Sequence, residues 1–385
     1  MRLGVLLEPE GENRVAIVPN SVTKLSKAGF EVVVESGAGA GSNYSDAQYV
    51  SKGAKVGQRD EAAAADILVT IHMPDVSEMN SGQIIACVAD PFRHPDRVRQ
   101  CMDNGVTLLS MDMIPRRLSR AQSMDVNSSQ DNLAGYKAVL IGADHISKAI
   151  PMMTTSAGTV KPARVVIMGA GVAGLQALAT AKRLGAVVEV SDIRPEVKEQ
   201  VESLGGRFIA LPEMEESGEG EGGYARQMTP EFLQRQKAIV AKKAKAADVV
   251  ITTAAVPGKP APKLITEQMV KEMRIGSVIV DMAATTGGNC ELTVLGEEVI
   301  RHGVLIIGIP NLARTVPGDA SILLARNLQA LLDLALDDGT RRELVGERFP
   351  RILKRLLQAE RDAALVRVDL ENDHFHFLGG GEDLA

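Results

Sequence analysis

Cysteine is scarce in this sequence. Cys87, Cys101 and Cys290 are odd in number, far apart, and set among apolar or glycine-rich neighbours, which argues against a disulfide framework and points to a reducing compartment, the cytoplasm by default. Long apolar runs are missing as well. No stretch reaches the roughly 18 consecutive apolar residues of a membrane-spanning helix, and the opening Met1-Arg-Leu-Gly-Val-Leu-Leu is cut off by Glu8, Glu10 and Glu12, so neither a span nor a signal peptide is expected. The histidines, His72, His94, His145, His302, His374 and His376, never fall beside a cysteine or carboxylate at zinc-type spacing, so no metal site is expected, and His374 with His376 reads as part of a surface strand near the C-terminus. An excess of positive charge is absent too. Lysine and arginine (43) are mixed with aspartate and glutamate (49) for a formal net charge of -6, a balance that argues against a nucleic-acid surface.

What is present is an α/β rhythm. The 385 residues, 45% of them apolar, suffice for two domain-sized cores, because single cores stop growing near roughly 250 residues. Short β-branched runs at 3–7, 31–35, 67–71, 84–88 and 107–111 alternate with helical patterns at 21–28, 47–52 and 95–104, the βαβ order of a parallel sheet. A second series starts at the buried strand 164–169 and continues at 187–190, 207–210, 249–253, 278–281 and 305–308. The expected fold class is α/β: two Rossmann-like domains with mostly parallel sheets, joined by long helices, with a cleft between them. Residues 1–128 and 318–385 are assigned to the first domain and 146–310 to the second. Connecting helices are expected at 129–145, where Leu133, Tyr136, Val139, Leu140 and Ala143 recur at helical spacing, and at 311–330.

The most specific motif is Gly169-Ala-Gly-Val-Ala-Gly174, set between the buried strand and a helical pattern at 175–184. A bare GxGxxG is weak, but a strand before and a helix after make it a dinucleotide-binding turn. Gly169 permits the tight turn, Gly171 lets the backbone approach a pyrophosphate, and Gly174 lets the helix lie close on the strand. The first helical residues, Val172 and Ala173, then offer free N–H groups to the phosphates. Asp192 ends the next strand about 20 residues on, where a carboxylate accepts from the adenosine ribose hydroxyls and repels a 2′-phosphate. This favours NAD(H), although Arg194 offers a partner for that phosphate. Ala254, just past the strand at 249–253, joins the cofactor-binding set. By contrast, Gly37-Ala-Gly-Ala-Gly41 lacks the third glycine at the correct offset and is read as a turn.

Between Pro115 and Gln130 the hydrophobic period is lost, and the segment reads as a long loop. Arg117, Gln122, Asp125 and Ser128 can form a hydrogen-bonded set that orients a nicotinamide carboxamide. On composition alone, a merely solvated loop is the better reading.

The segment Arg117-Leu-Ser-Arg-Ala-Gln-Ser-Met-Asp125, with Ser128-Ser-Gln and Asn132-Leu-Ala-Gly-Tyr136, closely resembles the NAD(H)-binding component, domain I, of proton-translocating nicotinamide nucleotide transhydrogenases. The resemblance extends over nearly all of the chain, through Arg14-Val-Ala-Ile-Val-Pro19, Met152-Met-Thr-Thr-Ser-Ala-Gly-Thr159, Lys198-Glu-Gln-Val-Glu-Ser-Leu-Gly-Gly206, Gly222-Gly-Tyr-Ala225, Pro257-Gly-Lys-Pro-Ala-Pro262 and Gly287-Gly-Asn-Cys290. It implies a peripheral subunit at the cytoplasmic face of the inner membrane whose bound NADH gives hydride to NADP+. The NADP(H)-binding domain and the integral membrane domain that couples the exchange to proton movement would lie on separate chains. It also implies a homodimer. Within that pattern Arg117, Gln122, Asp125 and Ser128 match the loop that places the nicotinamide, and Tyr224 with Met228 match a loop that closes over the nucleotide. Residues 213–223, rich in glutamate and glycine, have little to bury and suit such a loop.

Alanine dehydrogenase is the related alternative and shares the Arg14 motif. Its amino-acid chemistry depends on a lysine and a histidine in the first domain, and neither appears in Val69-Thr-Ile-His-Met-Pro74 or Ala86-Cys-Val-Ala-Asp-Pro91; His72 and His94 are assigned to packing or surface. Departures from the transhydrogenase pattern at Glu8, at Thr285 and Thr286, and in the last thirty or so residues leave open an NAD(H)-sensing module without catalysis.

Overall fold

Alternating side chains along short apolar strands build the first of two parallel sheets. In the computed structural model, which describes residues 1–114, 118–119, 121–209, 230–256, 258–336, 365–369 and 374–378, the chain divides into one unit of 1–129 with 317–385 and another of 130–316. The first unit contains β1 (Arg2–Val5), α1 (Pro19–Lys27), β2 (Glu31–Glu35), α2 (Asp46–Ser51) and β3 (Lys55–Gly57). It continues with α3 (Arg59–Ala63), β4 (Ile67–His72), β5 (Ile84–Val88), α4 (Pro95–Asp103) and β6 (Thr107–Ser110). Its sheet runs β3-β2-β1-β4-β5-β6, parallel throughout. Ile67, Val69 and Ile71 of β4 enter one core while Leu68 enters the core on the other face. Burial on both faces explains why these strands read as continuous apolar runs.

The polar segment after Met113 is more ordered than its composition suggests. Gln122–Met124 forms a 3₁₀ turn, and α5 (Val126–His145) starts inside the stretch expected to be loop. The cause is local. Asp125 accepts the N–H of Ser128 at 2.8 Å, the N-cap interaction that starts a helix regardless of the polarity of the residues that follow. The chain passes from the first unit to the second within α5.

The second unit holds β7 (Met153–Thr155), β8 (Gly158–Val160), β9 (Arg164–Met168), α6 (Val172–Arg183), β10 (Val187–Ser191), α7 (Lys198–Ser203) and β11 (Arg207–Phe208). Then follow α8 (Pro230–Ala246), β12 (Val249–Thr252), α9 (Glu267–Glu272), β13 (Val278–Asp281), β14 (Glu298–Arg301) and β15 (Val304–Ile307). Strand order is β11-β10-β9-β12-β13-β15-β14, with order reversing between β9 and β12, the switch at which open α/β sheets bind ligands. Two elements escape the sequence reading. β14 pairs antiparallel to β15 at the sheet edge, where only Val299 is buried, too little for an alternating signal. The β7–β8 hairpin is exposed along its whole length and so carries no hydrophobic pattern.

α10 (Pro317–Leu336) opens on a proline at its first position. Leu324, Ala325, Leu328, Leu331 and Leu332 sink into the same core as β1 and β4. Finally β16 (Leu365–Asp369) pairs antiparallel with β17 (His374–Leu378); His374 and His376 lie on this strand. Among the described residues no helix is long and apolar enough to cross a membrane, and no group of three His, Cys, Asp or Glu could hold a metal ion.

Candidate functional site

β9 ends at Met168, and the chain turns at Gly169 with φ of +107°, a conformation only glycine adopts without strain. The Gly169 N–H donates to the Ser191 carbonyl at 2.8 Å, and Thr253 Oγ1 donates to the carbonyls of Met168 and Gly169, each at 3.2 Å. Gly171 caps α6 in extended backbone, and a Cβ placed there would meet nothing within 4 Å. The backbone is bare at that point. Gly174 is the opposite case: a Cβ there would overlap the Gly169 carbonyl oxygen and lie 2.9 Å from its carbon, so glycine is what lets the helix sit on the turn.

The first bond of α6 runs from the Leu175 N–H to the Gly171 carbonyl at 2.9 Å. The N–H groups of Val172, Ala173 and Gly174 precede it and lie in the turn where a helix has no internal partners. No acidic residue sits in this first turn, while Lys182 and Arg183 occupy the last, so the helix dipole is left uncompensated only where an anion would dock.

Asp192 follows β10 and is buried. Its Oδ2 accepts the Ala170 N–H at 2.6 Å and Arg194 Nη2 at 2.8 Å, and its Oδ1 accepts the N–H and Nε of Arg194, both at 2.9 Å. The two residues read from sequence as competing determinants of the ribose end are thus one ion pair. Beside them Ser191 Oγ is buried with no hydrogen-bond partner among the described residues.

Ala254 is held by a residue the sequence reading missed. Asn289, fully buried, accepts the Ala254 N–H at 3.1 Å and donates to the carbonyls of Ala254 at 2.8 Å and Pro262 at 2.9 Å. Its amide mimics a strand partner for the turn after β12. Next to it Asp281 takes four donors: Thr252 Oγ1 and the Ala283 N–H on one oxygen, the Cys290 N–H and Thr293 Oγ1 on the other. The available signal was an asparagine directly after paired glycines, Gly287 and Gly288, both at positive φ.

In the first unit the expected hydrogen-bonded set forms only in part. Ser128 donates to Asp125 through both its N–H, at 2.8 Å, and its Oγ, at 2.5 Å. Gln122 is exposed and one turn earlier, and it meets Asp125 through its backbone carbonyl, which accepts the Asp125 N–H at 3.3 Å. A side-chain amide on a solvent-facing turn has nothing to draw it onto a carboxylate already capping a helix. Arg117, Tyr224 and Met228 lie outside the described residues.

The same unit carries a buried ionic cluster on the Arg14 motif. Arg14 donates Nε and Nη2 to the two oxygens of Glu12, at 2.8 and 2.6 Å, and His72 Nε2 lies 3.0 Å from Glu12 Oε2. Burial raises the Glu12 carboxyl, but hydrogen bonds from Arg14 and His72 and the Arg14 charge outweigh it and hold the pKa at about 2. Glu8 accepts the N–H groups of Ile71 at 2.5 Å and His72 at 3.0 Å; burial nonetheless pushes its carboxyl up to about 7.

Residues 4–134 match the alanine dehydrogenase/PNT N-terminal domain and residues 138–352 the alanine dehydrogenase/PNT C-terminal domain. The chain belongs to the alanine dehydrogenase/PNT family. Within this family it is 46% identical over 342 residues to the first of the proteins that make up the NAD(P) transhydrogenase alpha subunit of Rhodospirillum rubrum, covering 86% of this chain and 89% of that protein. A solved transhydrogenase structure from Sinorhizobium meliloti superposes with a TM-score of 0.77 at 42% identity, over 86% of this chain and 93% of that one. Alanine dehydrogenase 1 of Staphylococcus aureus is more distant, 30% identical over 342 residues, covering 84% of this chain and 85% of that protein.

Proposed function

We propose that this chain is the NAD(H)-binding component of a transhydrogenase, and that NADH held on the Gly169 turn passes hydride to NADP+ on a partner chain. The observation that carries the reading is the turn itself: a bare backbone at Gly171, a helix start with free N–H groups, and a carboxylate at Asp192. These are the features a pyrophosphate and a ribose require. Similarity to proteins named as transhydrogenase alpha subunits adds the reaction class.

NADH supplies the hydride, and transfer between two nicotinamide carbons exchanges no proton, so the chain's residues have only to align rings and exclude water. We assign Arg117, Gln122, Asp125 and Ser128 to orienting the nicotinamide. Asp125 and Ser128 fix the start of α5, leaving the exposed Gln122 amide to face the carboxamide. Tyr224 and Met228 are assigned to closing over the nucleotide. Proton translocation belongs to partner chains, which would hold this one at the cytoplasmic face of the membrane, and two copies of it would pair as a homodimer.

An amino-acid dehydrogenase is disfavoured by the Arg14 cluster. Its guanidinium already grips Glu12 with two charge-assisted hydrogen bonds, so a substrate carboxylate would have to displace a buried anion. The test mixes the purified chain with a separate NADP(H)-binding component and follows hydride transfer from NADH to an NADP+ analogue. No rate above background overturns the proposal. Alanine-dependent reduction of NAD+ by the chain alone would replace it with the dehydrogenase reading.

A further inference from the structure

The Asp192 carboxylate has no acceptor position to spare. Two oxygens offer about four lone-pair sites, and four donors fill them: the Ala170 N–H, the Arg194 N–H, Arg194 Nε and Arg194 Nη2. A ribose diol that donated both hydroxyls to this carboxylate would need two of these places. The Ala170 and Arg194 N–H groups belong to the backbone on either side of the phosphate turn and leave only if that turn comes apart. The guanidinium is attached by a flexible stem, and its two N–H donors form the paired fork that a vicinal diol would present. The ion pair is largely enclosed, with side-chain exposures of 16% for Arg194 and 5% for Asp192, so salt weakens it little and displacing it opposes binding.

Resting on the reading that a dinucleotide occupies the Gly169 turn, we infer that Arg194 stands in the place of the adenosine ribose diol and is displaced when NADH binds, which makes it a determinant of nucleotide specificity. NADH exchanges the guanidinium for its own hydroxyls. A 2′-phosphate cannot donate to Asp192, yet it meets a carboxylate neutralised by Arg194 and can take the arginine as its own partner. The arginine therefore weakens NADH and strengthens NADPH, and it blunts the discrimination that Asp192 alone would impose.

The experiment is calorimetric titration of the full chain with NADH and with NADPH, for the unmodified protein, Arg194→Ala and Arg194→Gln. Removing the competitor is expected to tighten NADH about tenfold and to weaken NADPH by a similar factor, the effect of one charge-assisted hydrogen bond in each case. Arg194→Gln keeps the stem and one donor while losing the charge, and its affinities fall between; it serves as the measurement if the alanine variant fails to fold. NADH binding to the unmodified chain, with variants that bind it no tighter, overturns the inference and leaves the dinucleotide reading standing. An unmodified chain that binds neither nucleotide overturns both.

Discussion

Replacing Gly174 by alanine drives a methyl group into the carbonyl of Gly169, with the carbonyl carbon 2.9 Å away and Thr253 Oγ1 at 3.4 Å. The carbonyl cannot retreat, because Gly169 is tied to Ser191 through its N–H and to Thr253 through its oxygen. Helix α6 must therefore lift off the turn, and behind it Ala177, Leu178 and Ala181 are fully buried. Overpacking against a fixed backbone lies at the upper end of the usual range, about 3 kcal/mol, and losing the Thr253 hydrogen bond adds about 1 kcal/mol. Alanine's better helix propensity returns somewhat under 1 kcal/mol, for a net loss of about 3 kcal/mol. Gly171→Ala is the matched control, since its φ of -77° suits any residue and nothing lies within 4 Å. Its stability should stay within about 0.5 kcal/mol of the parent, whereas its NADH affinity should fall about tenfold if a pyrophosphate passes over that backbone. Urea unfolding and NADH titration of both variants separate the two effects. A Gly171→Ala protein that binds NADH as the parent does, or a Gly174→Ala protein that unfolds at the parent's urea midpoint, refutes the reasoning.

Asn289→Ala strands the N–H and carbonyl of Ala254 and leaves the Pro262 carbonyl without that donor; a loss of about 3 kcal/mol is expected from urea unfolding, with weaker NADH binding. Glu12 sets an acid limit. Its folded pKa of about 2 lies below its ordinary 4.5, so its stabilisation of about 3 kcal/mol is present above pH 4.5 and is lost as pH falls through 2. Stability measured from pH 6 to pH 2 should drop over this window, and Glu12→Gln should flatten the drop while lowering stability at neutral pH. Asp125→Ala removes the cap of α5 and should cost about 1 kcal/mol, and a ring left unsteered should slow hydride transfer to the partner about tenfold or more; a rate equal to the parent's would confine Asp125 to a structural part.

Sequence carried the phosphate turn well because each of its glycines answers a local steric demand: a positive φ at Gly169, an open backbone at Gly171, a close helix at Gly174. The parallel strands were legible for a similar reason, since burial on both faces writes itself as a β-branched run. Tertiary pairings were not legible. Arg194 and Asp192 stand two residues apart, and nothing in that spacing distinguishes an ion pair from two separate ligands. Asn289 is 35 residues from the Ala254 it holds, and only folding brings the asparagine amide to that turn. The start of α5 was obscured because one side chain, Asp125, initiates a helix in a segment whose composition argues for loop.

All three thiols are sealed inside the protein, and burial raises the ionisation of each, that of Cys290 to about 11. An alkylating reagent at neutral pH thus finds almost no thiolate until the surrounding structure opens. Cys290 adjoins Asn289 and donates its own N–H to Asp281, so its labelling rate is a built-in clock for the opening of the shelf beneath Ala254. A nucleotide that stiffens this shelf would slow that clock, and the native sequence already carries the reporter.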